Sequence, residues 1–561
     1  MSNAPPDSDQ YPLNAWRFGF LAVVLLASIL NFVRLGERGL RSEEVRWAVI
    51  SRNMLAHSDY LQPTINGQHF YDKPLGSYWL ILGAAWLEGG VDEAAARLPS
   101  ALSGVVAVAF LMLIARRIFD RCTALLAGVV LATCFSFVFY SRTASADAEN
   151  VAGVVIALWL CLRSETRGGG FWVIGLWAIM AATSLTKGLL GFALPLLVFG
   201  VYRTVAITSI NTDRNRAYRF IDRHRWLLNW TTIAAVVVAF AIYTSPFLMS
   251  IVKTGSSEGL EMVWRENIRR FFDAHNHRGP IYLYAYIIFG LAAPWSVLLP
   301  AALLNSYSRR TRGDRFALVY FWALFAFFTL SSSRRSYYLL PILPAVALLV
   351  ARLLTTPWHD MTRWSKVCVR IAFGLHVFVL IVATTAVCLP YSLLPSPWNQ
   401  LPPLPTPGAF AALMFAGFAS VVGAFYRWST GRVAVSFAVV AIGSMVYWFL
   451  FALPVEEQYR TQKPFLAVVK THIGSSIHQT VLYRTRETVY YLDPPEPLAE
   501  AAIPEQLQLV LKNSPTRWVL ARNRDLAEIG PVGHVVLEEP RHPWEDEDVI
   551  GSKLVLLEVD R

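Results

Sequence analysis

Apolar runs long enough to cross a lipid bilayer recur through the first 454 residues of the chain. One span needs about 20 mostly apolar residues, and that length fits about thirteen runs. They lie near residues 16–35, 97–116, 122–140, 148–163, 171–185, 188–204, 228–250, 281–303, 315–331, 337–354, 369–389, 409–426 and 433–453. Composition agrees, because 55% of the residues are hydrophobic, only 16% are charged and mean hydropathy is +0.42. The sequence therefore predicts an α-helical polytopic membrane protein.

The basic residues predict how the spans are oriented. The formal net charge is +11, and the arginines fall in short clusters between apolar runs. That pattern is typical of cytoplasmic loops, and no segment resembles a nucleic-acid-binding module. With a cytoplasmic N-terminus every inside loop is basic, including 203–225 with its six arginines. We therefore expect a cytoplasmic N-terminus, a retained first span and a C-terminus on the outer, periplasmic side.

The sequence predicts two domains, because the long apolar runs end near residue 455 and a more polar segment follows. Residues 1–454 form the transmembrane domain, whose long first loop (36–96) contains predicted helices at 43–56 and 75–88. Residues 455–561 predict a soluble α/β domain with strands at 481–483, 518–521, 534–538 and 553–559 and helices at 462–472 and 504–513. None of the five cysteines lies in this tail, so the sequence predicts no disulfide framework.

The first loop opens with S-E-E-V-R-W at residues 42–47. Ser42 is the expected N-cap of a helix whose first turn holds Glu43 and Glu44, where the helix dipole favours anions. Ile50 and Met54 lie four residues apart and give this helix an apolar edge suited to the membrane surface.

Ionisable residues collect on the predicted outer side, at the ends of spans and in the loops between them. They include Glu43, Glu44, Arg46, Asp72, Lys73, Asp147, Lys187, His275, His277, Arg334 and Arg335. Such groups are costly near a membrane unless they line a cavity, so they indicate function. Cations bind phosphate, and carboxylates activate a hydroxyl or stabilise a developing positive charge. A lipid phosphate at the outer leaflet would use both.

Each group also has an ordinary structural explanation. Glu43 and Glu44 fit solvated first-turn acids, and Lys187 fits a side chain that reaches the headgroups. The Arg334–Arg335 pair fits a membrane anchor, and Asp72 with Lys73 fits an exposed ion pair. The two histidines fit solvated loop residues. Their shared sidedness is the stronger signal.

Several motifs occur in the order typical of one enzyme family. The chain reads E-E-V-R-W (43–47), I-S-R-N-M-L (50–55), N-G-Q-H-F-Y-D-K-P (66–74), A-A-R-L-P-S (95–100), S-R-T-A-S-A-D (141–147), L-T-K-G (185–188), W-R-E-N-I-R-R-F-F (264–272) and S-S-R-R-S-Y-Y-L-L-P (332–341). Residues 36–345 thus resemble the GT-C polytopic glycosyltransferases of the aminoarabinose-transferase and protein-mannosyltransferase-like group.

That resemblance implies a GT-C fold and an inverting glycosyltransferase. The enzyme would move a sugar from a polyprenyl-phosphate carrier to an acceptor at the periplasmic face of a bacterial inner membrane. Lipid A or lipopolysaccharide, another glycan and a protein are the candidate acceptors, and 4-amino-4-deoxy-L-arabinose is one candidate sugar. The expected partners are these substrates and membrane lipids, and we expect a monomer.

The resemblance also assigns roles to residues. It implies catalytic carboxylates at Glu43 and Asp147, with Glu44 beside them. Donor phosphate binding is implied for Arg46, Lys73, Lys187, Arg334 and Tyr338. In the aminoarabinose branch it further implies a zinc site, at Asp72 with His275 or His277.

Two positions depart from the family pattern, and other classes of protein remain open. Glu43 replaces an aspartate and Asp72 replaces a glutamate, each moving a carboxylate by one methylene.

The alternative class is a transporter or flippase of lipid-linked saccharide. The one-sided charge, the absence of inverted repeats and the large tail argue against it. A membrane sensor explains the tail but not Lys187 or Asp147.

Overall fold

A computed structural model describes residues 12–167, 170–208, 229–273, 278–389, 391–393, 396, 399 and 405–560. The described part is mostly helical. Its α-helices are α1 (Leu13–Phe32), α2 (Glu43–His57), α3 (Gly76–Glu88), α4 (Glu93–Ile118), α5 (Arg121–Ala132), α6 (Phe135–Ser141), α7 (Asp147–Arg167), α8 (Phe171–Lys187), α9 (Leu190–Thr208), α10 (Trp230–Thr254), α11 (Glu258–Val263), α12 (Arg270–Phe272), α13 (Leu283–Leu291), α14 (Leu299–Arg309), α15 (Arg312–Leu330), α16 (Leu343–Thr355), α17 (Arg363–Cys388), α18 (Pro407–Tyr426), α19 (Thr430–Tyr447), α20 (Leu453–Arg460), α21 (Lys463–Ile473), α22 (Val489–Leu492), α23 (Pro504–Asn513), α24 (Leu526–Ile529) and α25 (Glu547–Ser552).

The predicted spans coincide with helices or with bent pairs of helices. In the part of the chain that the structure describes, eight helices are long and apolar enough to cross a membrane, or up to ten if each bent pair is one span. The pairs bend by 65° between α5 and α6 and by 118° between α13 and the segment Trp295–Arg309. The prediction of a polytopic helical membrane protein is confirmed, while the count of about thirteen spans stays a prediction.

The tail contains the predicted α/β structure. Short strands β1 (Thr64–Ile65) and β2 (Gln68–His69) pair in the first loop, and the tail holds β3 (Thr480–Tyr483), β4 (Ala499–Ala501), β5 (Trp518–Arg522), β6 (Gly533–Glu538) and β7 (Leu554–Val559). The tail sheet has the order β4-β3-β5-β7-β6. Strand β3 is parallel to β4 and β5, whereas β7 is antiparallel to β5 and β6. The edge strand β4 escapes sequence analysis because its three residues, A-E-A, are too few to indicate a strand.

Helix α2 packs into protein. Ile50 and Met54 are buried in a core with Tyr78 of α3 and Tyr490 of the tail. The expectation that this edge lies on the membrane is therefore wrong. Helix α3 packs on one side of α2 and the tail packs on the other. The apolar edge of α2 is therefore buried by protein and has no contact with lipid.

Glu44 and Arg97 form a buried ion pair that fixes the start of α2 against α4. Nε of Arg97 lies 2.7 Å from Oε1 of Glu44, and Nη2 lies 3.0 Å from Oε2. The same guanidinium donates to the backbone oxygens of Leu35 and Gly39 at 3.0 and 2.9 Å. Both side chains are almost fully buried. The hydrogen-bonding capacity of the pair is therefore met inside the protein.

This geometry corrects the catalytic role predicted for Glu44. Burial alone raises the pKa of Glu44, but Arg97, Arg38 and the N–H of Ala144 lower it to about 2. Its carboxylate also accepts the backbone N–H of Arg41 at 3.3 Å, whereas the side chain of Ser42 makes no cap hydrogen bond. Glu44 thus orders the helix start, which is the function expected of Ser42.

Replacing Arg97 with alanine should destabilise the protein, because it leaves Glu44 ionised and buried without its main partner. We expect the free energy of unfolding to fall by roughly 3–5 kcal/mol. Arg541→Ala, which removes an exposed pair with Glu538, should cost at most about 1 kcal/mol. Denaturant titrations in detergent measure both values, and equal losses would contradict the role of the buried pair.

Candidate active site

A cavity of about 470 Å³ brings most of the predicted site residues together. Its walls come from the start of α2, the segment 72–74, the start of α7, the end of α8, the segment 262–272 and residues 327–341. The charged residues in these walls are the cations Arg46, Lys73, Lys187, Arg270 and Arg335 and the acids Glu43, Asp72, Asp147 and Glu266. Cations and acids alternate, so each positive group lies close to a carboxylate.

Glu43 is the most accessible carboxylate of this set. Its side chain is 47% exposed, and its oxygens lie 3.4 Å from Arg46 and 3.0 Å from Arg335. Partial burial raises the pKa of Glu43, but Arg46, Arg335 and Lys73 together hold the pKa below its ordinary value. Glu43 is therefore an ionised carboxylate that faces the cavity, in contrast to the enclosed Glu44.

Lys73 lies at the centre of a chain of ion pairs. Its Nζ is 3.1 Å from Oδ2 of Asp72 and 3.9 Å from Oε2 of Glu266. Arg46 contacts the same oxygen of Asp72 at 3.2 Å, and Arg270 pairs with Glu266. Burial lowers the pKa of Lys73, an effect that Asp72 and Glu266 oppose. The segment Asp72–Lys73 is thus a partly buried part of the cavity wall.

Asp147 and Lys187 meet although forty positions separate them in the chain. Nζ of Lys187 lies 2.5 Å from Oδ1 of Asp147 and 5.7 Å from the ring centroid of Tyr337. Gly188 makes this placement possible, since its φ is +80° and a Cβ there would lie 2.3 Å from Oδ1 of Asn267. Asn267 in turn accepts the N–H of Leu189 at 2.8 Å. The glycine of L-T-K-G is therefore required by the turn and by close packing.

Arg335 occupies the position that the sequence interpretation gave to Arg334. The guanidinium of Arg334 donates to the backbone oxygens of Gly279 and Thr329, whereas Arg335 binds Glu43 and the hydroxyl of Tyr337. Arg334 is therefore corrected to a structural residue. Tyr338 does line the cavity, with its ring centroid 5.9 Å from the guanidinium carbon of Arg270.

Four wall residues that carry a charge or a phenol were assigned no catalytic or donor-binding role by sequence analysis. They are Glu266, Arg270, Arg335 and Tyr337. The signal was present in W-R-E-N-I-R-R, where a carboxylate and an arginine four residues apart lie on one face of a helical turn. The chain there adopts a π-helix over Trp264–Arg269, which rotates the side chains relative to an α-helix. Local spacing alone could not predict which of them point into the cavity.

The described residues do not supply the zinc site that the resemblance implied. Oδ2 of Asp72 is held by Arg46 and Lys73, and no group of three metal-ligating side chains occurs in the described ranges. His275 and His277 lie outside the described residues. A carboxylate oxygen engaged by two cations is poorly suited to a metal ion, so the zinc site stays a prediction and no step below uses it.

Comparison with known proteins agrees with this fold. A family model described as dolichyl-phosphate-mannose-protein mannosyltransferase matches residues 72–249. An uncharacterised protein of Aquifex aeolicus is 29% identical over 71% of this chain and 77% of its own length. The undecaprenyl phosphate-α-4-amino-4-deoxy-L-arabinose arabinosyl transferase 1 of Pseudomonas fluorescens is 29% identical over 57% of this chain, and the match spans only 54% of that relative.

A solved structure extends the likeness to nearly the whole chain. ArnT from Cupriavidus metallidurans, crystallised with undecaprenyl phosphate, matches with a TM-score of 0.71 and 21% identity over 98% of both chains. The chain is a multi-pass bacterial inner-membrane protein with the GT-C glycosyltransferase fold. Its sequence is similar to that of the aminoarabinose transferases, in agreement with the resemblance that the motifs predicted.

The pH dependence of glycosyl transfer should report the charges around Glu43. The ionised form of Glu43 is the one that can accept a proton, so activity should persist below the ordinary pKa of glutamate. Arg335→Gln removes a cation that lowers this pKa and should move the acidic limb of kcat/KM to higher pH. Arg334→Gln, which changes the neighbouring arginine outside the cavity, should leave the limb in place. Equal movement in both variants would contradict the assignment.

Proposed function

We propose that the protein is an inverting glycosyltransferase that moves a sugar from a polyprenyl-phosphate carrier to an acceptor. The main support is one cavity that combines five cations, the exposed carboxylate of Glu43, the more buried carboxylate of Asp147, and an apolar wall. Phe271, Phe272, Phe327 and Phe328 form part of that wall. A phosphate that is attached to a long hydrocarbon needs this combination of charge and apolar surface.

The donor phosphate would bind beside Lys73. Arg46 and Arg270 flank this lysine, and both now face carboxylates that a phosphate can replace as partners. Lys187 and Arg335 add positive charge at the other side of the cavity. Binding of the phosphate would therefore release Glu43 and Asp72 from part of their ion pairing, and it would leave Glu43 available to the acceptor.

In the reaction an acceptor oxygen attacks the anomeric carbon from the face opposite the phosphate. The bond between that carbon and the phosphate oxygen breaks, and its electron pair leaves with the carrier phosphate, which the cations stabilise. A hydroxyl acceptor gives its proton to Glu43 or Asp147. A phosphate acceptor is already anionic, and the carboxylate then acts by orienting it and by stabilising positive charge on the sugar.

The relatives narrow the proposed substrates. The Pseudomonas fluorescens relative is named for undecaprenyl phosphate and 4-amino-4-deoxy-L-arabinose, and the Cupriavidus metallidurans structure contains undecaprenyl phosphate. We therefore propose undecaprenyl phosphate as the carrier, an aminoarabinose-type sugar as cargo and lipid A as the acceptor. A periplasmic site, a cytoplasmic N-terminus and a monomeric state complete the proposal.

A flippase is not supported. The named relatives are transferases, and the charged groups of this cavity collect at one end of the spans, from residues of α2, α7, α8 and the adjoining loops. A transporter needs polar groups that serve both membrane faces in turn.

Lys73→Ala should lower transfer of labelled sugar from undecaprenyl phosphate by roughly 10²-fold or more, because it removes a cation from the departing phosphate. Vesicles containing lipid A and the purified variant give the rate. Lys463→Ala, which removes a tail lysine paired with Glu93, is the matched control and should act as wild type. Full transfer by Lys73→Ala would refute the donor site, and carrier translocation without transfer would favour the flippase.

Glu43→Gln distinguishes the two roles of the carboxylate. With a hydroxyl acceptor, loss of the base should reduce kcat by roughly 10²–10⁴-fold. With a phosphate acceptor the reduction should be much smaller and independent of pH. Rates measured with each acceptor in the same vesicles give the comparison, and unchanged kcat with both would remove Glu43 from the reaction.

A further inference from the structure

A second cavity of about 570 Å³ lies between the first loop and the tail. The first loop contributes residues 41–49, Ile65 and Phe70, and the tail contributes residues from Tyr459 to Lys553. No residue of α7, α8 or the 262–272 segment lines this cavity among those that the structure describes. It is therefore built from the parts of the protein outside the helical bundle.

The two cavities share Glu43 and Arg46. These residues lie one helical turn apart at the start of α2, and their side chains form an ion pair of 3.4 Å. The pair is therefore the boundary between the two cavities. A molecule in the second cavity reaches the carboxylate of Glu43 from a different direction than a donor in the first.

The two cavities differ in lining. The first has a cluster of phenylalanines, whereas the second has basic and acidic residues on most sides. Within the second, Arg522 pairs with Glu487, Arg486 with Glu500 and Lys553 with Glu545. The phenylalanine wall of the first cavity suits a hydrocarbon chain beside a phosphate, and the second cavity, which has no such wall among the residues that the structure describes, suits a polar, ionised group.

Arg41 differs from the other cations of the second cavity. Its guanidinium forms no ion pair within 4.0 Å and no side-chain hydrogen bond with any residue that the structure describes. Arg460 and Arg38 repel it from a longer distance, and Glu457 and Glu456 attract it. Burial and the repulsion from Arg460 also lower the pKa of Arg41. A half-buried guanidinium with no carboxylate in direct contact has free hydrogen-bond donors that an anionic ligand can use.

The wall that carries Arg41 is held rigidly against the tail. The hydroxyl of Tyr491 accepts the N–H of Leu40 at 2.6 Å. Asn66 exchanges two hydrogen bonds of 2.8 Å with the backbone of Leu498. The cavity is therefore a formed part of the fold, of a size common for ligand sites.

We propose that this second cavity binds the phosphate-bearing saccharide head group of the acceptor, with Arg41 as the cation that contacts its phosphate. The Glu43–Arg46 pair then lies at the inner end, where the acceptor oxygen meets the donor sugar. The inference rests on the proposed function and extends it to acceptor recognition.

The test is a steady-state comparison of wild type, Arg41→Ala and Arg41→Lys, each reconstituted in vesicles with undecaprenyl-phosphate sugar and lipid A. Arg41→Ala should raise the KM for lipid A roughly 10-fold or more, since a charged hydrogen bond is lost. The KM for the donor should stay unchanged, and Arg41→Lys should recover part of the loss. Arg524→Ala, an exposed arginine of the tail outside both cavities, is the matched control.

Two further measurements identify the recognised group. Dephosphorylated lipid A, added as a competing ligand, should bind wild type more weakly than intact lipid A does, and this difference should disappear in Arg41→Ala, because the two changes remove the same contact. Inorganic phosphate should compete with lipid A in wild type and lose this effect in Arg41→Ala. Inhibition that competes only with the donor would overturn the proposal.

Failure of the inference can be told from failure of the proposed function. If wild type transfers sugar and Arg41→Ala has the same KM for lipid A, the second cavity does not bind the acceptor, while the transferase proposal stands. If wild type transfers no sugar from the carrier, the proposed function itself fails.

Ser552→Glu adds negative charge within the same cavity and should also raise the KM for lipid A, so the test does not depend on one variant.

Discussion

The buried pair of Glu44 and Arg97 fixes the start of α2, which carries Glu43 and Arg46 into the site. It joins the start of α2 to α4, while the remaining donors of the guanidinium hold the backbone of residues 35–39. Consecutive residues of a helix point about 100° apart, so fixing Glu44 inward forces Glu43 outward. The cavity carboxylate is therefore aimed by its neighbour, and the E-E pair divides into one anchor and one reactive group.

The ion pairs of the cavity carry a cost that only function explains. Five cations and four acids are held close together beside a membrane bundle, where burial removes water from each charge. Apolar residues would pack the same space more simply. The alternating arrangement keeps the cations in place and ionised, and it offers an incoming phosphate partners that already have their geometry.

Sequence reasoning succeeded where the signal is local or repeated. Apolar run length predicted the helices, short runs of apolar and β-branched residues predicted the strands β3, β5, β6 and β7, and motif order indicated the resemblance to the GT-C enzymes. It failed where side chains compete for one partner. The local sequence does not indicate that Glu44 pairs with Arg97, which lies fifty-three positions later in the chain. It also does not indicate that Arg334 binds backbone oxygens while Arg335 binds Glu43. The packing of Tyr490 against α2 is equally invisible in the local sequence. These outcomes depend on long-range packing.

The docking of the tail on the first loop has a consequence for how this enzyme class diversifies. Tyr491 and Leu498 bind the loop, yet most residues facing the second cavity belong to the tail. If the second cavity binds the acceptor as proposed, substitutions in the tail change acceptor binding while the donor contacts of the first cavity stay in place. Acceptor preference and donor chemistry can then change separately during evolution, and Glu43 and Arg46 are the residues that the two cavities share.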